Sequence, residues 1–283
     1  DLIKLGYTKK QVIKMCRMFP ALFGYNIITI KAKLDYLVGL GYSYCEILKL
    51  TYKVPSLIAM SSEIFNNKID FFISLGYTKE EIIHMSLKFP ELLCFSSTHL
   101  LNKFKFLKSI GYSEDNIRKM TYFLPAIYGL STKHILNKFN FLNGLGYTDN
   151  QVKDITVSLP SIFGLSDKNL LDKIRYYKEI GLSDLIIIKP KILMQSIELS
   201  YARYEYMKTK NIVINIKNCN KLFIRQSIFV SSYGINNDDI KIMYPIGSYL
   251  NDLGNKYILK TLYQLNPNFS CNNSVKSIMY KKR

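Results

Sequence analysis

Lysine recurs at one interval along this 283-residue chain. Lys33, Lys68, Lys103, Lys138 and Lys173 are 35 residues apart, and Arg203 continues the row after a five-residue contraction. One cation per unit of a repeated structure would meet phosphates at regular intervals, and release of their counterions would drive nucleic-acid binding. The slot is unusual for a charge. At 100° per residue, Leu100, Phe104, Phe106, Leu107 and Ile110 cover an arc of roughly 160°, with Lys103 near its middle. A lone lysine there reads as a side chain whose methylenes pack while its ammonium reaches water. Six in register predict a line of positive charge along one edge or the inner surface of the array, about 50 Å long at about 10 Å per stacked layer.

The neighbouring positions vary. His99 and His134 precede the lysine by four residues in adjacent copies, next to Thr98 and Lys133, and the slot two residues after it holds Asp35, Asp70, Lys105, Asn140 and Arg175. Ordinary surface variation accounts for this. The sharper alternative takes His99, His134, Lys105 and Arg175 as contacts to base edges or the groove. The two histidines share a slot in different copies, which is not a metal site. Five cysteines (Cys16, Cys45, Cys94, Cys219, Cys271) are odd in number and form no C-x-x-C pair. Reduced thiols, no metal and no cofactor are the expectation. No phosphate loop or hydrolase motif is present, and Glu114-Asp115 and Asp238-Asp239 sit beside helix starts, where acids favour the dipole. Catalysis is not expected.

These residues need a scaffold, and the repeat supplies one. Gly6, Gly41, Gly76, Gly111, Gly146 and Gly181 keep the interval of 35, as do Pro20, Pro55, Pro90, Pro125 and Pro160. Thr78 with Glu81 forms a capping box, repeated as Thr8 with Gln11, Ser43 with Glu46 and Thr148 with Gln151; Ser113 with Asn116 is a weaker version. A first helix of about three turns follows and stops at the proline. A short turn, 3₁₀ in character, leads to a second helix capped by Ser61, Ser96, Ser131 or Ser166 and closed by the next glycine. Such a unit cannot bury its apolar faces alone, so the copies must stack. The predicted fold is therefore all-α, a helical-repeat solenoid of 35-residue units with two helices and a short turn each. Five regular units and a contracted sixth occupy residues 1–210. Residues 211–283 read as a divergent helical cap with a basic tail, Gly234-Ile235-Asn236 with Ile240, Met243 and Pro245 looking like a decayed copy. Phe71, Phe106, Phe141 and Tyr176 recur at a core position and are expected to pack rather than to stack on bases.

Composition points the same way. Apolar residues make up 48%, enough for a continuous core, and 39 Lys and Arg against 21 Asp and Glu give a net charge of +18, which attracts polyanions. The longest apolar run, counting glycine, is seven residues at 36–42, too short to span a membrane. An intracellular place is expected, bacterial cytoplasm or organelle matrix. The pattern is already running at Leu5, so a targeting segment upstream stays open.

The units resemble a known family. L-G-Y-[TS]-x-x-x-[IV], the proline after it, [LI] two residues on, and S-x-x-x-[LIF]-x-x-K-[LIF] closing on L-G or I-G are similar to the repeats of the mitochondrial transcription termination factor (mTERF) family, over about residues 5–210. The resemblance implies a left-handed superhelix whose basic groove holds nucleic acid, often duplex DNA in the control or termination of transcription, in other members RNA. The leading expectation is a monomeric, non-catalytic nucleic-acid-binding protein that favours duplex DNA and contacts it through the lysine column and its neighbours. An RNA-binding repeat protein and a protein-interaction scaffold are the alternatives.

Overall fold

Helix starts are fixed by the hydroxyl residues that open each unit. In the computed structural model, which describes residues 2–265 with side chains to 257, Thr8, Ser43, Thr78 and Thr148 accept from the backbone N–H three residues on, while Gln11, Glu46, Glu81 and Gln151 bond back to the cap. Ser113 makes only the first of these bonds, because Asn116 is too short to return the second. The first helices end two residues before each proline, which then opens a five-residue 3₁₀ turn rather than breaking a helix interior. Asn26, Ser61, Ser96, Ser131 and Ser166 cap the second helices. Each of these ends at its glycine, held at φ between +74° and +107° from Gly41 to Gly181. At Gly76 an added Cβ would also lie 2.8 Å from the Arg118 guanidinium. No strand occurs among the described residues.

The chain divides into two compact units, Asp1–Gly164 and Leu165–Arg283. The first holds α1 (Lys9–Met18), α2 (Ile27–Gly39), α3 (Tyr44–Lys53), α4 (Ser62–Ser74), α5 (Lys79–Lys88), α6 (Ser97–Ser109), α7 (Glu114–Phe123), α8 (Thr132–Gly144) and α9 (Asp149–Ser158). Odd-numbered first helices pack on one another in succession. A buried hydrogen bond recurs at each joint: the tyrosine after the glycine meets a hydroxyl in the next copy, Tyr7 with Thr51, Tyr42 with Ser86, Tyr77 with Thr121 and Tyr112 with Thr156, at 2.6 to 2.8 Å. Burial pushes the Tyr7, Tyr42 and Tyr112 phenols up to about 12. Around these bonds lie Leu34, Leu37, Ile47, Leu57, Phe72, Met85, Leu92 and Leu100, all fully buried.

The second unit holds α10 (Asp167–Glu179), α11 (Leu185–Ile188), α12 (Ile197–Thr209), α13 (Gln226–Tyr233), α14 (Asn237–Met243) and α15 (Tyr249–Leu265). The contraction falls on the first helix of the sixth copy, cut to the four residues of α11. Its turn, Pro190–Met194, and its second helix, α12, keep full length. The pattern also runs past residue 210, where the array was expected to stop. Asn211 takes the glycine position at φ +55°, Cys219–Leu222 forms the 3₁₀ turn, α13 follows as a second helix, and Gly234 closes it at φ +70°. This copy has lost its first helix. Asn236 then caps α14, in the segment that reads as a decayed copy. Lys281-Lys282-Arg283 and Cys271 lie outside the described residues.

Candidate nucleic-acid interface

The lysine column is buried. Lys68, Lys103, Lys138 and Lys173 retain 4 to 6% of their surface and Arg203 only 1%. Lys68 and Lys103 in the first unit, and Lys173 and Arg203 in the second, cross to the turn of the next copy. Lys68 donates to the Phe95 carbonyl and Lys103 to the Leu130 carbonyl, the residues that end the 3₁₀ turns. In the second unit Lys173 donates to the Leu193 carbonyl at 2.6 Å, and Arg203 reaches the Leu222 and Ile224 carbonyls at 3.0 and 2.8 Å and the Asn237 side-chain oxygen at 2.8 Å. The orphan carbonyls at the end of a helical turn carry partial negative charge, and a cation satisfies them. Burial lowers the pKa of Lys68, Lys103 and Lys173 and brings Arg203 down to about 10. The aromatic slot lies alongside: Phe106 and Phe141 are half-buried, with the Lys103 and Lys138 ammoniums 5.9 and 5.7 Å from their ring centres. Tyr176 is fully buried.

This corrects the expectation of an open row of cations. Lys68, Lys103, Lys173 and Arg203 are clasps between copies, because a cation inside an apolar arc has only the neighbouring turn to bond. Lys33 differs. It is half-buried, donates to the Ser62 hydroxyl at 3.2 Å and lies 5.1 Å from the Tyr36 ring centre. His99 and His134 are exposed, and each also bonds across a joint: their Nε2 atoms lie 2.9 and 2.7 Å from the Tyr128 and Phe163 carbonyls. A carbonyl only accepts, so Nε2 carries the proton. Arg175 is half-buried in the second unit, its guanidinium 5.4 Å from the Tyr257 ring centre on α15.

Lys105 is exposed, as a contact residue must be. It belongs to a stripe along α6 with Thr98 and Asn102, at spacings of four and three. Lys133, Asn137 and Asn140 form the corresponding stripe on α8 and are likewise exposed. Neither helix contains an aspartate or glutamate. In α2 and α4 the same stripe reads Ile28, Ala32, Asp35 and Glu63, Asn67, Asp70. The outward face of the second helices therefore changes from acidic to basic within the first unit. Asn102 and Asn137 escaped the motif-based reading; the absence of acids from two consecutive second helices was the signal available. Lys108 is set apart from the stripe by its ion pair with Glu114 at 2.5 Å.

Capped helix pairs, 3₁₀ turns and recurring cation clasps define a helical-repeat protein of the solenoid class. The mTERF family model matches residues 1–75 and 71–227, and the chain belongs to that family. It is a family of nucleic-acid-binding helical-repeat proteins involved in transcription termination and not generally enzymatic. No curated protein matches the chain. Among the described residues no helix is long and apolar enough to cross a membrane.

Proposed function

We propose that this chain binds nucleic acid without catalysis, and that the outward stripe of α6 and α8 contacts the phosphates while the lysine column holds the copies together. Duplex DNA is the substrate and control of transcription the role, in keeping with family membership. The observation that supports the reading is the pair of acid-free second helices with Thr98, Asn102 and Lys105 on one and Lys133, Asn137 and Asn140 on the next. Lysine supplies charge for the backbone, and asparagine amides offer the paired donor and acceptor that read adenine. Of the residues predicted from sequence, the exposed Lys105, His99 and His134 remain as candidate contacts, with Lys33 and Arg175 half-buried.

A selection that offers randomised duplex DNA and single-stranded RNA together to the purified chain tests this. Enrichment of duplex, with an affinity that falls steeply as salt rises, is expected. Enrichment of RNA alone would overturn the choice of substrate. Retention of neither polymer at low salt would overturn nucleic-acid binding itself.

A further inference from the structure

The residue before the clasp lysine repeats in the middle of the first unit. Asn67, Asn102 and Asn137 stand 35 apart on α4, α6 and α8, and all three are exposed. Among the described residues none of the three amides has a hydrogen-bond partner in the chain, so each keeps its donors and its acceptor free. Folding does not ask for asparagine there. Its amide competes with the helix backbone, which makes it a weaker helix former than alanine, and Ala32 fills the same slot on α2.

Their spacing is set by the joints. Lys68 donates to the Phe95 carbonyl just before α6, and Lys103 to the Leu130 carbonyl just before α8, so each step of the row is tied by a cation one residue from an asparagine. At about 10 Å per stacked layer, against about 3.4 Å per base pair of duplex, neighbouring asparagines fall about three base pairs apart. The surrounding charge is graded. Thr98, Lys105, Lys133 and Asn140 accompany Asn102 and Asn137 on helices without acids, whereas Glu63 and Asp70 flank Asn67 and repel phosphate.

We propose, resting on the nucleic-acid reading above, that Asn67, Asn102 and Asn137 are specificity residues, a ladder that selects adenines about three base pairs apart in duplex DNA. An amide donates and accepts at once, the pattern that adenine N6 and N7 present in the major groove. Lys105 and Lys133 hold phosphates and fix the register, and the amides supply the preference. Selection is strong opposite Asn102 and Asn137. It is weaker opposite Asn67, where the two carboxylates oppose close approach of the backbone.

Sequencing the duplexes that the full chain recovers from a random pool, for the wild type and for Asn67→Ala, Asn102→Ala and Asn137→Ala, tests the ladder. The wild type is expected to recover a motif with adenines about three base pairs apart. Asn102→Ala and Asn137→Ala should each relax one position alone, binding the motif about tenfold more weakly while keeping the affinity for unrelated duplex and its salt dependence. Asn67→Ala should relax the third position by less. Asn102→Arg should move its position from adenine to guanine, a gain that a structural residue would not produce. All three side chains are exposed, so circular dichroism should show these variants folded. Salt-sensitive duplex binding without a motif, or with one indifferent to all the substitutions, would overturn the ladder and leave nucleic-acid binding standing. Recovery of no duplex at low salt would overturn both.

Discussion

Lys103 and Lys105 stand two residues apart on one helix and do unlike work. The first lies inside the apolar arc of α6, buried, with its ammonium on the Leu130 carbonyl; the second points outward beside Asn102. The contrast teaches that a regular column of cations can mark the joints between copies, whereas a contact surface for a ligand is free to vary from copy to copy. The second unit supports this. Its copies lose most or all of the first helix, yet Lys173 and Arg203 still reach the next turn. The clasp outlasts the helix.

Alkaline pH separates the two kinds of joint most strongly. Tyr7, Tyr42, Tyr112 and Tyr177 have phenols raised to about 12, above the unfolded value near 10. A raised pKa means that the folded state keeps protons the unfolded state releases. The stability these groups contribute is intact below pH 10 and is lost as pH rises towards 12, on the order of 1–3 kcal/mol per tyrosine. The clasp lysines have the opposite sign, because their pKa values are lowered and stability is gained as they lose protons. The denaturant midpoint should therefore fall between pH 10 and 12; a rise would mean that the lysines dominate.

Removing a clasp comes next. Arg203→Met keeps the stem but strips three hydrogen bonds from Leu222, Ile224 and Asn237, and should cost about 3 kcal/mol or more in urea unfolding. Lys103→Met removes one and should cost about 1–3 kcal/mol. A loss of under about 0.5 kcal/mol for Lys103→Met would return that lysine to solvent. The tyrosine joint is smaller still: Thr121→Val leaves Tyr77 its bond to Tyr128 and should cost about 1 kcal/mol.

Much of the fold could be read from sequence because its determinants are local. The capping boxes, the prolines at turn starts and the left-handed glycines each act within a few residues, and all fall where the spacing put them. The use of the lysine column was not legible. Position on a helical wheel placed Lys103 in the apolar arc, but only tertiary stacking brings the Leu130 carbonyl, 27 residues on, within its reach. The copy after residue 210 was missed for a related reason. Asn211 replaces glycine in the left-handed turn and Cys219 stands where a proline would open the next one, so neither the glycine nor the proline column continues there.

The division of labour between the two rows is tested most directly by measuring duplex affinity against salt for Lys103→Met and for Lys105→Ala with Lys133→Ala, each under conditions where circular dichroism shows a folded chain. The outward pair should leave stability within about 0.5 kcal/mol while weakening binding and reducing the salt slope by about 2. Lys103→Met should lower stability and leave the slope of the folded protein unchanged. A slope that falls for Lys103→Met and holds for the outward pair would contradict the account.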